Sequence, residues 1–220
     1  MPLRFWTLRA VGRLPRSQPR NAMHLVSNLG DIAVLLPASL GLIVFLAWSG
    51  ARRDATAYAA AMTACLTAAL FAKLALAACG ERSSVFGVES PSGHVAFSAT
   101  LYGCLAVLFA AGRATGPRSA LYAGAGALIL AIGVSRVALG AHNVLEVVVG
   151  LLIGAASVAL FAALRVSPER LELSSRTMLQ ASPFVALYLL GVLLLADHWT
   201  AESLIDAIAA QLGAHLHLCR

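Results

Sequence analysis

The chain has 220 residues, 60% hydrophobic and 12% charged, with a formal charge of +6. Soluble domains are nearer half apolar and a quarter charged, so this composition excludes one and points to a single polytopic membrane domain. The positive balance comes from scattered arginines with no dense basic tract among aromatics, which argues against nucleic acid as a partner and fits membrane lipids with anionic headgroups.

Residues 1–30 are a basic lead carrying Arg4, Arg9, Arg13, Arg16 and Arg20. Pro15 and Pro19 interrupt it where a signal peptide would have an unbroken apolar core, so a tail is expected, either disordered or lying at the membrane interface. A membrane domain is expected over 31–197, with spans near 32–49, 55–79, 95–111, 120–134, 142–164 and 179–196. Helices satisfy their own backbone in lipid, so the fold class is all-α, a six-span helical bundle. Gly124, Gly126 and Gly133 in the fourth span are expected to let neighbouring helices approach closely. Residues 198–220 read as an amphipathic tail with Leu204, Ile205, Ile208 and Leu212 on one face. Cys65, Cys79, Cys104 and Cys219 have no metal-ligand spacing, and packing is their expected role.

The polar residues near the spans gather at one membrane face. Sequence order puts the loop 80–93 and the turn 135–146 there together. Ser90-Pro91-Ser92-Gly93-His94 is a turn-forming stretch at a helix start, where backbone N–H groups and the helix dipole favour an anion. Gly93 allows positive φ and close approach of a ligand; the same residues also make an ordinary turn. His142 and Glu146, four apart, are expected on one helix face. Glu146 can then hold one imidazole nitrogen and leave the other as the nucleophile; a purely structural pair is the plainer alternative. Arg136 suits bidentate phosphate binding or the membrane interface, Lys73 suits a phosphate or a snorkelling position, and Arg82 is a phosphate ligand or a solvated charge.

With these residues in place the chain resembles the type 2 phosphatidic acid phosphatase superfamily, membrane phosphatases that share a helical core with vanadium haloperoxidases. The family's motifs are Lys-x6-Arg-Pro, Pro-Ser-Gly-His and Ser-Arg-x5-His-x3-Asp. The second stands here as Pro91-Ser92-Gly93-His94 and the third as Ser135-Arg136-x5-His142-x3-Glu146, within a core of 73–164. The first is altered, since Arg82 follows Lys73 at nine positions with no proline after it, and the third ends in Glu rather than Asp. The resemblance implies a lipid phosphate or prenyl diphosphate as substrate and a phosphohistidine on His142, oriented by Glu146. It implies His94 as acid and base, with Ser92, Gly93, Arg136, Lys73 and Arg82 holding phosphate oxygens. With no carboxylate cluster for Mg²⁺, neither metal nor other cofactor is expected.

The excess of arginines at the opposite face places that face in the cytoplasm, and the site on the periplasmic side of a bacterial inner membrane. The five arginines of the lead argue the other way. A catalytically weak or inactive lipid-binding scaffold on the same fold is the alternative, motivated by the altered first motif and Glu146. A Glu146→Asp variant is expected to keep activity, because it restores the family's residue.

Overall fold

The computed structural model describes residues 18–79, 88, 90–165, 185–186 and 188–190. These residues fold into α1 (Gln18–Asn28), α2 (Ile32–Trp48), α3 (Arg52–Cys79), α4 (Gly93–Ala110), α5 (Thr115–Ala138) and α6 (Val144–Leu164). The described part of the chain is therefore all-helical. Four helices are long and apolar enough to cross a membrane: Arg52–Leu76, Gly93–Ala110, Thr115–Ala138 and Val144–Leu164. Ala22–Asn28 and Ile32–Trp48 qualify only as a pair, bent by 40° at their break. The described residues thus hold four spans, or five with the bent pair. Most of the expected sixth span, and all of 198–220, lie outside them.

α4 is the central helix. It packs on α2, α3, α5 and α6, and every residue from Gly93 to Leu101 is buried. A helix apolar on all sides belongs inside a bundle, and its hydroxyls need local partners there. Thr100 donates to the carbonyl of Ala96 at 2.9 Å. Around α4, which itself contributes Cys104 and Leu108 to the core, sit Leu35, Phe45, Leu46, Tyr58, Met62, Cys65 and Phe161. Cys65 and Cys104 are buried free thiols, in keeping with a packing role.

Glycines set the α4–α6 distance, though not those the sequence suggested. A Cβ on Gly150 would lie 2.6 Å from the carbonyl oxygen of Ser92, and one on Gly154 would lie 2.4 Å from the Ala99 Cβ. Gly124 and Gly126 face open space, and of the fourth-span glycines Gly133 alone approaches a neighbour, Val147 at 3.0 Å. Close backbone approach of this kind replaces side-chain bulk with direct contact between helices.

Helix direction alternates, so the bundle has two distinct polar ends. At one end Arg165 Nε and Nη2 donate to the two carboxylate oxygens of Asp54 at 2.9 and 3.0 Å, and Nη1 donates to the Val107 carbonyl at 3.3 Å. The guanidinium also lies over the Phe161 ring, 5.5 Å from its centroid. This joins the start of α3 to the ends of α4 and α6. The start of α2, the end of α3, the start of α4, the end of α5 and the start of α6 meet at the other end.

Candidate active site

The turn from α5 into α6 is built by the local sequence. Gly140 has φ +69°, a conformation that glycine adopts without the Cβ penalty. The N–H of Gly140 donates to the Val137 carbonyl at 3.0 Å, and that of Ala141 donates to the Arg136 carbonyl at 3.0 Å. This is a Schellman ending, with the left-handed residue just past the helix. It folds the chain back so that the His142 N–H also lies 3.4 Å from the Arg136 carbonyl. The five-residue gap between Arg136 and His142 is therefore the length of one helix stop.

α6 then opens with a capping box. Asn143 Oδ1 accepts the Glu146 N–H at 2.9 Å, and Glu146 Oε2 accepts the Asn143 N–H at 3.1 Å. His142 precedes the cap, so it does not share a helix face with Glu146 as the spacing suggested. The contact is made nonetheless, through the capping turn: His142 Nδ1 lies 3.0 Å from Glu146 Oε2. Both side chains are under 10% exposed.

Glu146 also reaches the other motif. Its Oε1 accepts the Ser90 N–H at 3.0 Å, and its backbone carbonyl accepts the Ser92 N–H at 3.1 Å. One glutamate thus closes its own helix, engages His142 and holds the Ser90–Ser92 loop. The third carbon of the side chain is what lets an N3 residue reach back to the cap. The departure from aspartate has a local structural use.

Ser92 occupies the N-cap of α4, yet its hydroxyl makes no capping bond. Serine is favoured at this position because its oxygen normally satisfies an N–H of the first turn. Here Oγ is fully buried without a hydrogen-bond partner among the described residues. Gly93 is the first residue of the helix and does not have positive φ, contrary to expectation. An added Cβ there would meet the Phe97 ring at 3.5 Å, an ordinary contact.

Two residues absent from the sequence reading join this end. Asp31 caps α2, accepting the Ala33 N–H at 2.8 Å through Oδ1, while Oδ2 lies 3.5 Å from His94 Nε2. Ser27, near the end of α1, accepts from Arg136 Nη1 at 3.2 Å. Residues 18–30, read as part of a tail, include a helix packed on α5. Between α1 and α2, Gly30 passes so close to α4 that a Cβ would lie 2.9 Å from Ser98 Oγ. Tyr102 fastens the same turn by donating to the Leu29 carbonyl at 2.7 Å. A polar residue directly before an apolar run was the visible signal for Asp31 as a cap; nothing local marked it as a partner of His94.

Lys73 is buried in the last two turns of α3, and no acidic side chain pairs with it among the described residues. Arg82 lies outside the described residues. Of the eight residues expected at the site, the structure joins His142, Glu146, Ser92 and the Gly93–His94 helix start through direct bonds, with Arg136 on the turn carrying His142.

The family model described as PAP2 superfamily matches residues 74–170, beginning one residue after Lys73 and leaving Asp31 outside. An uncharacterized 22.5 kDa protein of the cps region of Klebsiella pneumoniae is 32% identical over 156 residues, covering 69% of this chain and 74% of that protein. No solved structure matches the chain significantly.

Proposed function

The chain belongs to the PAP2 superfamily, and from that premise we propose that it is an integral membrane phosphatase acting on a lipid phosphate or prenyl diphosphate through a phosphohistidine. The observation that carries this reading is the Glu146 carboxylate, bonded at once to His142 Nδ1 and to the Ser90 N–H. It ties the proposed nucleophile to the proposed phosphate loop.

With Nδ1–H directed to Glu146, the lone pair on Nε2 is the nucleophile. Nε2 attacks phosphorus and the bond to the leaving oxygen breaks. His94 gives that oxygen its proton. In the second half His94 takes a proton from water, the oxygen attacks phosphorus, and the P–N bond breaks to release phosphate. Ser92 Oγ, the Gly93 N–H, Arg136, Lys73 and Arg82 stabilise the equatorial oxygens, the largest contribution expected in a water-poor site. The buried, uncapped Ser92 hydroxyl supports this assignment because an arriving phosphate oxygen would supply the partner it lacks among the described residues.

The lipid tail would lie among the apolar side chains exposed on α5 and α6, including Leu130, Val134, Leu145 and Leu152. Arg52, Arg53 and Arg118 are exposed at the Asp54–Arg165 end. Positive-inside orientation puts that end in the cytoplasm and the histidines on the periplasmic face of an inner membrane.

The test is phosphate release by the purified protein in EDTA from a panel of glyceryl and prenyl phosphates and diphosphates. Turnover is expected for at least one of them, with loss in His142→Ala. No release from any would favour the scaffold reading.

A further inference from the structure

We propose that Asp31 is the positioning residue of His94, giving each histidine of the site its own carboxylate. The proposal rests on the phosphatase reading above. It deepens that reading by adding a residue from outside the family-matched stretch 74–170.

His94 and Asp31 are about 10% and 8% exposed, with Nε2 and Oδ2 3.5 Å apart. The carboxylate cannot wander, because its other oxygen is fixed by the Ala33 N–H at the start of α2. Nor can the backbone below it, because Gly30 lies against Ser98 and Ile132 and Tyr102 holds the Leu29 carbonyl. The positive end of α2 also suits a negative charge at its cap. A fixed carboxylate beside a histidine that must carry a proton stabilises the imidazolium and selects one ring orientation. Glu146 does this for a nucleophile, and Asp31 does it for a general acid. Asp31 touches neither phosphorus nor leaving group, so its effect on the reaction passes through His94.

That route predicts dependence on the leaving group. An alkoxide departing from a lipid phosphate needs a proton in the transition state, whereas p-nitrophenolate does not. The experiment measures kcat/KM, which reports the leaving-group step, for dioctanoyl phosphatidic acid and p-nitrophenyl phosphate with wild type and Asp31→Asn. Asparagine keeps the α2 cap and removes the charge. The expected loss is about 100-fold for the alkyl substrate and under about fivefold for the aryl one, within the range of general acid catalysis. Asp31→Ser, which also keeps a cap oxygen, should give the same imbalance. In a His94→Gln background Asp31→Asn should cost nothing further, since the two act as one unit. Equal losses for both substrates, or multiplicative losses in the double variant, overturn the proposal while leaving the phosphatase reading intact. Absence of any turnover by wild type overturns both.

Discussion

The two polar ends of the bundle use the same residue types to opposite effect. At the Asp54–Arg165 end a planar fork meets both carboxylate oxygens, takes a carbonyl with its remaining nitrogen and rests on a phenyl ring. Opposite charges there cancel and join helices. At the His142 end Arg136 donates to the Ser27 hydroxyl, and the carboxylates of Glu146 and Asp31 face histidines. Among the described residues the buried Ser92 hydroxyl has no hydrogen-bond partner, and Lys73 is buried. Burying polar groups without full compensation costs stability, and native proteins keep such arrangements where a ligand completes them. One end is closed by an ion pair; the other is where the proposed phosphate would bind.

The sharpest way to break this contrast is to remove the nucleophile. His142→Ala should lower kcat by about 10⁴-fold or more without unfolding the protein; a loss under tenfold in a phosphate-release assay would erase the distinction between the ends. Next comes Glu146→Asp. The sequence alone suggested that this variant stays active, but the structure predicts otherwise. A side chain one carbon shorter cannot keep His142, the Asn143 N–H and the Ser90 N–H together. A displacement of about 1 Å is enough for roughly a 10²-fold fall in kcat. Activity at wild-type level would show that the backbone closes the gap.

A smaller effect is expected from Ser92→Ala. The hydroxyl bonds nothing among the described residues, so thermal stability should change by less than about 0.5 kcal/mol. Phosphate affinity and kcat/KM should fall about tenfold, as for one lost hydrogen bond to a charged group. Destabilisation without loss of affinity would mean that the hydroxyl serves the fold. At the other end the sign reverses. Asp54→Ala should destabilise by about 3 kcal/mol, because it leaves Arg165 buried without its carboxylate. The kcat of the protein that remains folded should stay within twofold. A specific loss of turnover there would show that the ion-paired end also takes part in the chemistry.

Much of this arrangement was legible in the sequence. The second through fifth spans and their directions follow from the apolar runs, and two short motifs gave His94, Arg136, His142 and Glu146. Their meeting at one end was a consequence of counting spans. What spacing could not give was the way the contacts are made. A separation of four puts His142 and Glu146 on one helix face, yet the helix begins between them. The Asn143-x-x-Glu146 capping box, visible in the sequence, is the signal that would have moved the boundary. Small residues marked α5 as the helix of close approach, but a glycine count does not say which face meets a neighbour, and Gly150 and Gly154 do that work on α6. Ser27 and Asp31 carry no motif signal, because they sit about 60 residues or more before the first intact motif. Only the folded turn between α1 and α2 carries them to Arg136 and His94. Tertiary contacts of that range leave no local periodicity to read.

The central claim, that His142 takes the phosphoryl group, is tested most directly by trapping it. Protein mixed with lipid labelled in its phosphate and quenched in alkali should carry label that is stable to base, released by acid and located on His142. The label should accumulate when His94 is replaced by a residue unable to activate water, on a substrate whose leaving group needs no proton. Steady turnover with no label on the protein, undiminished in His142→Ala, would contradict the account.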